Sequence, residues 1–264
     1  MRKLNIEELR HIQLEILDDV DLFCRENQLR YSLCGGTLLG AVRHKGYIPW
    51  DDDIDILMPR PDYERFASSY HSDRNVVLDL RRNGACLELG LKVCRKGTVM
   101  KDVELGRSLW GVNIDIFPVD GLPEDADAHC ARIIRMRNLL TRICPFYKLL
   151  TQQRTKWFVK YLLKRVRYPY IGSSRKLKER IDTLAASYPF GSSRLSGAIL
   201  GNYGEREMIP SEVFLEYGTI LFEGREYRCI KGADTYLSAL YGDYMTLPPM
   251  EKRVAPHLYD SFMV

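Results

Sequence analysis

Two aspartates in the first quarter of the chain, Asp53 and Asp55, are spaced to hold a divalent cation. They lie on a β-prone segment downstream of a glycine pair, Gly35-Gly36. Side chains two residues apart on a strand share a face, so the two carboxylates should converge. Like charges held close together repel unless a cation lies between them, and oxygen ligands suit Mg²⁺ or Mn²⁺. Because the glycine pair lets backbone approach a phosphate, the pattern predicts metal-dependent phosphoryl transfer.

A second alternating segment supplies a third carboxylate. The even positions of residues 112–117 are apolar, while Asp115 lies at the centre of the opposite face. We predict Asp53, Asp55 and Asp115 as catalytic residues and metal ligands, with Asp115 also orienting or deprotonating the attacking hydroxyl. The alternative for Asp115 is an edge-strand surface residue. An EF-hand Ca²⁺ loop does not fit the aspartate run, which lacks its glycine at position six and its glutamate at position twelve.

Residues near the glycine pair and near the C-terminus are predicted to bind the substrate. A helix start offers backbone N–H groups to phosphate oxygens, and basic side chains offset the phosphate charge. This predicted set comprises Gly35, Gly36, Thr37, Arg43, His44, Lys45, Lys92, Lys252, Arg253 and His257. For Lys92 and Arg253 an ordinary salt bridge is the alternative, and for the two histidines a structural hydrogen bond is equally compatible.

Periodicity predicts the elements that must position these residues. Apolar spacing predicts a helix over 6–24, with Asn5 as its N-cap and Glu8 three residues later. The glycine pair is expected as a turn before a helix that opens at Thr37. Strands are predicted at 29–34, 54–58, 87–93, 98–103, 112–117, 219–222 and 227–230. A tight turn joins 87–93 to 98–103, and another joins the last two strands.

Composition restricts the class of protein. The 264 residues form one large domain or two small ones, and no stretch approaches eighteen apolar residues. The charged start of the chain is unlike a signal peptide, so a cytoplasmic protein is expected. Seven cysteines, without a CxxC pair, favour free thiols in a reducing compartment over a zinc site.

The net charge of +4 conceals a strongly basic middle region. Residues 132–180 contain fifteen Lys and Arg against one acid, a net +14, so the rest of the chain carries −10. Within this region, residues 154–167 mix aromatic and cationic side chains as an interfacial helix does, which suits contact with an anionic membrane face. A solvated charged face is the competing interpretation, and nucleic acid is not an expected partner.

Four stretches resemble the LicD family of phosphocholine transferases and, more distantly, the fukutin-type ribitol-phosphate transferases. They are GGTLLGAVRHKGYIPWDDDIDILMPRPDYERF (35–66), WGVNIDIFPVDGLP (110–123), FEGREY (222–227) and YLSALYGDYMTLPPMEKR (236–253) with His257 following. The resemblance implies an α+β nucleotidyltransferase fold of the polymerase-β kind, a mixed sheet flanked by helices with a basic helical insert. The domain division expected is a core at 1–123, the basic region at 124–190 and a C-terminal segment at 191–264 that completes the site.

The same resemblance implies a reaction. A hydroxyl of a cell-surface glycan or teichoic-acid precursor, lipid-linked or free, attacks a CDP-alcohol, CDP-choline being favoured, and CMP leaves. Two Mg²⁺ or Mn²⁺ ions are expected, at the inner face of the plasma membrane if the basic region binds there. The aromatic residues Trp50, Trp110, Tyr241 and Tyr244 are either cleft walls or a site for the quaternary ammonium. A conventional nucleotidyltransferase that releases pyrophosphate from an NTP is the alternative activity.

Overall fold

The computed structural model describes residues 1–79, 89–102, 110–143, 174–254 and 259–264. These residues form six α-helices: α1 (Ile6–Glu26), α2 (Gly35–His44), α3 (Arg60–Ser69), α4 (Ala126–Ile143), α5 (Ser174–Ala185) and α6 (Ala233–Tyr241). Their strands are β1 (Arg2–Lys3), β2 (Ser32–Leu33), β3 (Asp55–Pro59), β4 (Asn75–Asp79), β5 (Leu91–Arg95), β6 (Thr98–Asp102), β7 (Asn113–Gly121), β8 (Leu195–Gly197), β9 (Ile209–Pro210), β10 (Tyr217–Phe222), β11 (Arg225–Ile230) and β12 (Tyr259–Met263). Among these helices, none has the length and apolar character that a bilayer span requires.

Helix α1 begins where the sequence predicts. The Asn5 side chain accepts from the Glu8 N–H at 2.8 Å, and the Glu8 carboxylate accepts from the Asn5 N–H at 2.9 Å. This reciprocal capping box satisfies two backbone donors that the first turn would otherwise leave unpaired. The apolar side of the helix, including Ile16, Leu17 and Val20, is fully buried against the core.

A seven-stranded mixed sheet forms the centre of the structure. Its main path runs β2-β3-β7-β5-β4, with β8 added to β7 and β9 added to β8. Strands β3 and β7 are parallel, and every other pair in this sheet is antiparallel. Helices α1, α2 and α3 pack against β3 and β7. The predicted mixed sheet flanked by helices is therefore confirmed, whereas its likeness to polymerase β stays a prediction.

The register of the sheet places polar side chains from three strands next to one another. Asp55 on β3 lies opposite Asp115 on the parallel strand β7, and Lys92 on β5 lies opposite Asp115 from the other side. Val112, Ile114 and Ile116 are fully buried. The alternation predicted for residues 112–117 is confirmed, because its apolar positions fill the core while Asp115 faces a cavity.

Three local predictions differ from the structure. The carboxylate strand begins at Asp55 rather than at residue 54, so Asp53 lies in the preceding segment. Gly35 and Gly36 form the first turn of α2 rather than a turn before it, because Cys34 takes the N-cap position. The tight turn predicted between 87–93 and 98–103 joins β5 to β6 as expected, but β5 runs over Leu91–Arg95, later than predicted, and β6 pairs with β12. The predicted C-terminal hairpin is confirmed as β10 and β11.

A buried ion pair joins β7 to the start of α3. The Arg60 guanidinium donates to both carboxylate oxygens of Asp120, at 2.6 and 2.7 Å, and to Asp182 on α5 at 2.8 Å. Asp120 is fully buried. The pair therefore ties the start of α3 to the far end of β7, the strand that carries Asp115.

Parts of the predicted organisation lie outside the described residues. These include the proposed membrane contact at 154–167, most of the basic region's centre, and His257. Helices α4 and α5 belong to the predicted basic region and pack against one another. The three-part domain division stays a prediction.

Candidate active site

Two adjoining cavities meet at Asp53 and Asp55. The larger cavity, of about 470 Å³, also contacts Lys92 and Asp115, and the smaller, of about 310 Å³, also contacts Gly35. Asp53 and Asp55 line both. A substrate with parts in both cavities would therefore pass directly over these two carboxylates.

The aspartate run upstream of β3 forms a compact carboxylate cluster. One oxygen of each of Asp51, Asp52 and Asp53 lies within 4.8 Å of the others. The sequence predicts Asp53, Asp55 and Asp115 as metal ligands, and the structure adds Asp51 and Asp52 to the candidate ligands. The segment has no strand partner of its own, and two side chains of α1 hold its backbone instead. Arg10 donates to the Asp51 carbonyl at 2.5 Å, and Gln13 donates to the Asp52 carbonyl at 2.9 Å.

The electrostatics of Asp55 fit a bound cation. Burial raises the pKa of Asp55 well above its usual value, and the carboxylates of Asp53 and Asp115 raise it further, while Lys92 opposes them. Clustered carboxylates in a partly buried site are costly unless a positive charge joins them. An all-oxygen donor set is the kind that Mg²⁺ and Mn²⁺ prefer. These residues therefore fit the predicted divalent ion.

Asp115 forms an ion pair with Lys92. The Lys92 ammonium donates to both oxygens of Asp115, at 2.5 and 2.8 Å, and the Asn113 amide donates to one of them at 3.1 Å. Lys92 is only 5% exposed and also lies 4.8 Å from the centre of the Trp110 ring. Lys92 thus reaches the site as predicted, but it contacts a carboxylate. An ion at Asp115 would compete with this ammonium, so Asp53 and Asp55 are the better metal position.

The start of α2 is packed directly against the carboxylates. Gly35 has a φ of 52°, in the left-handed region that favours glycine, and a Cβ there would lie 3.5 Å from an oxygen of Asp55. A Cβ on Gly36 would lie 2.7 Å from an oxygen of Asp51. The Thr37 hydroxyl accepts from the Asp55 N–H at 2.9 Å. Gly35, Gly36 and Thr37 therefore position the aspartates as well as line the site.

We expect Gly36→Ala to weaken metal binding while leaving the fold intact. The new methyl group must push away the Asp51 carboxylate, the mobile end of a side chain. Displacing a group that orients ligands commonly costs about tenfold or more in metal affinity. Isothermal titration with Mn²⁺ measures this change, and alanine in a helix keeps the melting temperature close to that of the parent. Gly218→Ala, whose Cβ would meet only a methylene 3.9 Å away, is the control. Equal Mn²⁺ affinity in all three proteins would contradict the expectation.

The other predicted basic residues lie at different distances from the carboxylates. Arg43 donates to the Tyr244 carbonyl at 2.8 Å and to His44, and neither Arg43 nor His44 lines either of the two cavities described above. Lys45 caps α2 in a left-handed conformation and is exposed. These three residues are therefore not brought into the described site.

The C-terminal segment contributes one cation near the smaller cavity. The Arg253 guanidinium lies 5.6 Å from the centre of the Trp50 ring, which lines that cavity, and donates to the Pro248 carbonyl at 2.8 Å. Lys252 ends a 3₁₀ helix and is exposed. Trp50 and Trp110 therefore each have a cationic side chain of the protein over the ring. The Tyr244 hydroxyl donates to Asp234, and Tyr244 lines neither of the two cavities.

Several residues of the site are not among those predicted from the sequence. Arg137 on α4 lines the larger cavity, where it donates to the Gly201 carbonyl and, at 2.9 Å, to the Asn202 side chain. Tyr203 and Glu207 line the smaller cavity, and Asn202 lines both. No motif marks these positions. The only signal was the basic character of the region that contains Arg137.

Comparison with known proteins agrees with this site. A domain described as "LicD/FKTN/FKRP, nucleotidyltransferase domain" matches residues 28–122, which include α2, β3 and β7. The chain is 29% identical to the lipopolysaccharide cholinephosphotransferase LicD of Haemophilus influenzae over 272 aligned positions, covering the whole of both chains. It is also 40% identical over 57 residues to an uncharacterized Rickettsia typhi protein, covering 21% of this chain and 18% of that one.

The domain match defines a transferase enzyme, since the matched segment carries the glycine pair and all three predicted carboxylates. Residues 28–122 therefore carry a LicD-type nucleotidyltransferase domain, and the whole chain is similar to LicD.

Proposed function

We propose that this enzyme transfers phosphocholine from CDP-choline to a hydroxyl of a lipopolysaccharide, with release of CMP and with a divalent metal ion. The proposal rests mainly on one observation: two cavities meet at Asp53 and Asp55, next to the N-terminus of α2. The name of the Haemophilus influenzae relative supplies the transferred group and the acceptor class. The CDP-linked donor comes from the family resemblance.

Each part of the site has a role in this reaction. The acceptor oxygen forms a bond to the phosphorus that bears choline, and the bond from that phosphorus to the CMP oxygen breaks. When bound at Asp53 and Asp55, a divalent ion supplies charge neutralisation at the phosphoryl oxygens. Asp115 orients the acceptor hydroxyl and takes its proton. Lys92 and Asn113 hold the Asp115 carboxylate in place for that task.

The larger cavity is the place we propose for the nucleotide half of the donor. Its described lining includes two cationic side chains, Lys92 and Arg137. Arg137 is held by a carbonyl and an amide oxygen, and no acid of the described residues forms an ion pair with it. A guanidinium fixed in this way retains donors for a phosphate. The basic region would therefore contribute at least one side chain, Arg137, to the binding of the donor.

Arg137→Met should raise the KM for CDP-choline about 10- to 100-fold and change kcat much less. A hydrogen bond to a charged group contributes about 1.5–3 kcal/mol, which corresponds to that range. Initial rates of CMP release over a range of CDP-choline concentrations give both constants. Arg135→Met, an exposed arginine on the same helix, is the matched control. If both variants raise KM equally, Arg137 has no specific role in donor binding.

The decisive assay uses the purified protein, CDP-choline and lipopolysaccharide, with Mg²⁺ or with EDTA. CMP and choline-modified lipopolysaccharide should form in equal amounts, and only with acceptor and metal together. Parallel reactions contain teichoic acid as the acceptor, CDP-ethanolamine or CDP-glycerol as the donor, or an NTP alone. Pyrophosphate release from an NTP, with no CMP from any CDP-alcohol, would replace this proposal with conventional nucleotidyl transfer. Undiminished turnover in EDTA would show that the reaction does not need a divalent metal ion.

A further inference from the structure

The smaller cavity differs in charge from the larger one. Its described lining includes four acids and no Lys, Arg or His: the acids are Asp51, Asp53, Asp55 and Glu207. Five aromatic side chains complete much of the wall: Trp50, Phe117, Tyr203, Tyr236 and Tyr241. An anionic group of a substrate would be repelled here, whereas a cation with apolar substituents would find complementary surroundings.

Two of the tyrosines present ring surface. Tyr203 and Tyr241 have ring centres 5.4 Å apart and planes inclined by 82°. Their hydroxyl groups are hydrogen-bonded to each other. One hydroxyl donates to the other, and both rings line the cavity, where their π faces and edges are the apolar surface they contribute. Aromatic faces attract cations within about 6 Å of the ring centre.

Glu207 is the unexplained group in this wall. It is 3% exposed, and its carboxylate accepts a hydrogen bond from the backbone N–H of Ala198. Among the described residues, no donor reaches its Oε2 atom and no cationic side chain pairs with it. Burial raises the pKa of Glu207 to about 8. At neutral pH the group is therefore largely protonated without a bound cation, and a cationic ligand in the adjoining space would favour its ionised form.

We propose that this smaller cavity is the subsite for a quaternary ammonium, with Tyr203 and Tyr241 as its aromatic walls and Glu207 as its counter-charge. A trimethylammonium group has no N–H to donate, so it is recognised by aromatic faces and nearby negative charge rather than by hydrogen bonds. Asp53 and Asp55 line the same cavity, which places the attached phosphorus beside the metal position. The inference rests on the proposed function and specifies where the choline group of the donor is bound.

The subsite also distinguishes choline from neutral alcohols. Glycerol or ribitol would bring hydroxyl groups but no positive charge to Glu207, and would therefore gain no ion pair with its carboxylate. The cavity therefore selects by charge as well as by size. This makes Glu207 a specificity-determining residue in the 3₁₀ helix Gly204–Glu207.

The test compares CDP-choline with its neutral isostere, the CDP ester of 3,3-dimethylbutanol, in which carbon replaces the ammonium nitrogen. The wild-type enzyme should prefer CDP-choline in kcat/KM by about 30-fold, the value of a desolvated cation contact. Glu207→Gln should remove most of that preference. Glu205→Gln, an exposed acid in the same 3₁₀ helix, should keep it. Tyr241→Leu, which removes a ring, should lower the ratio as Glu207→Gln does.

A binding measurement separates this inference from the proposed function. Phosphocholine binding by titration calorimetry, with 3,3-dimethylbutyl phosphate as the neutral comparison, needs no turnover. Preferential binding that Glu207→Gln abolishes would support the subsite even if no CDP-alcohol is turned over. Turnover of CDP-choline with no preference over the isostere in the wild-type enzyme would overturn the subsite and leave the transferase function standing. Equal ratios for Glu207→Gln and Glu205→Gln would also overturn it, provided that both variants melt as the parent does.

Discussion

Asp55→Asn is expected to lower kcat/KM for CDP-choline about 10³-fold and to raise the melting temperature of the metal-free protein. The loss of activity follows because Asp55 is the carboxylate that both cavities share at the start of β3. A metal ion contributes several kcal/mol to the stabilisation of charge in the transition state, and each factor of ten corresponds to about 1.4 kcal/mol. Rates of CMP release at saturating Mg²⁺ measure the loss.

The gain in stability has an electrostatic cause. Burial and the carboxylates of Asp53 and Asp115 raise the pKa of Asp55, so its ionised form opposes folding when no metal is bound. One pKa unit corresponds to about 1.4 kcal/mol. Removing the charge should therefore raise the melting temperature by about 2–4 °C per kcal/mol for a chain of this size. Asp73→Asn, an exposed aspartate, should change neither quantity. Loss of activity together with loss of stability would mean that Asp55 has a structural role instead.

Arg60→Met should lower the free energy of unfolding by about 3–5 kcal/mol. The substitution leaves Asp120, which is fully buried, without the two hydrogen bonds of 2.6 and 2.7 Å that neutralise it. Removing one partner of a buried ion pair is costly because the other charge remains in a low-dielectric interior. Urea denaturation measures the change, with the m value confirming that the same surface unfolds.

The same helix provides the control. Arg65 has a 60% exposed side chain, and its nearest ion-pair distance, to Asp62, is 3.8 Å. Arg65→Met should therefore cost less than about 1 kcal/mol. The double variant Arg60→Met, Asp120→Asn should recover part of the loss, since it removes the unpaired charge. Equal destabilisation by the two arginine variants would show that the apolar stem of Arg60, not its charge, stabilises α3 on β7.

The spacing of neighbouring residues in the sequence predicts those parts of the fold and site that lie within a single strand or helix. The alternation around Asp115 predicted which side chains enter the core, because a strand imposes a period of two on any sequence. The spacing of Asn5 and Glu8 predicted the start of α1 in the same way. The convergence of Asp53 and Asp55 was predicted from a continuous strand, whereas β3 begins only at Asp55. The two residues still line both cavities, although strand geometry is not what brings Asp53 there.

Long-range placement could not be predicted from the chain alone. Arg137 and Glu207 enter the site through α4 and a short 3₁₀ helix, elements that carry no motif and lie far in sequence from the aspartates. Their positions depend on how helices pack against the sheet. The pairing of β6 with β12 has the same origin, because a strand's partner is set by the edges that the whole fold presents. The roles assigned to these residues stay predictions until the variants are measured.

The hydrogen bonds from α1 to the backbone of the aspartate segment affect the free energy of substrate binding. Arg10 and Gln13 fix the carbonyl groups of residues 51 and 52 when the chain folds, before any substrate arrives. An incoming donor meets carboxylates whose backbone is already immobile, so little of its affinity is lost to freezing a loop. More of the intrinsic binding free energy is then available to align the acceptor oxygen with the phosphorus.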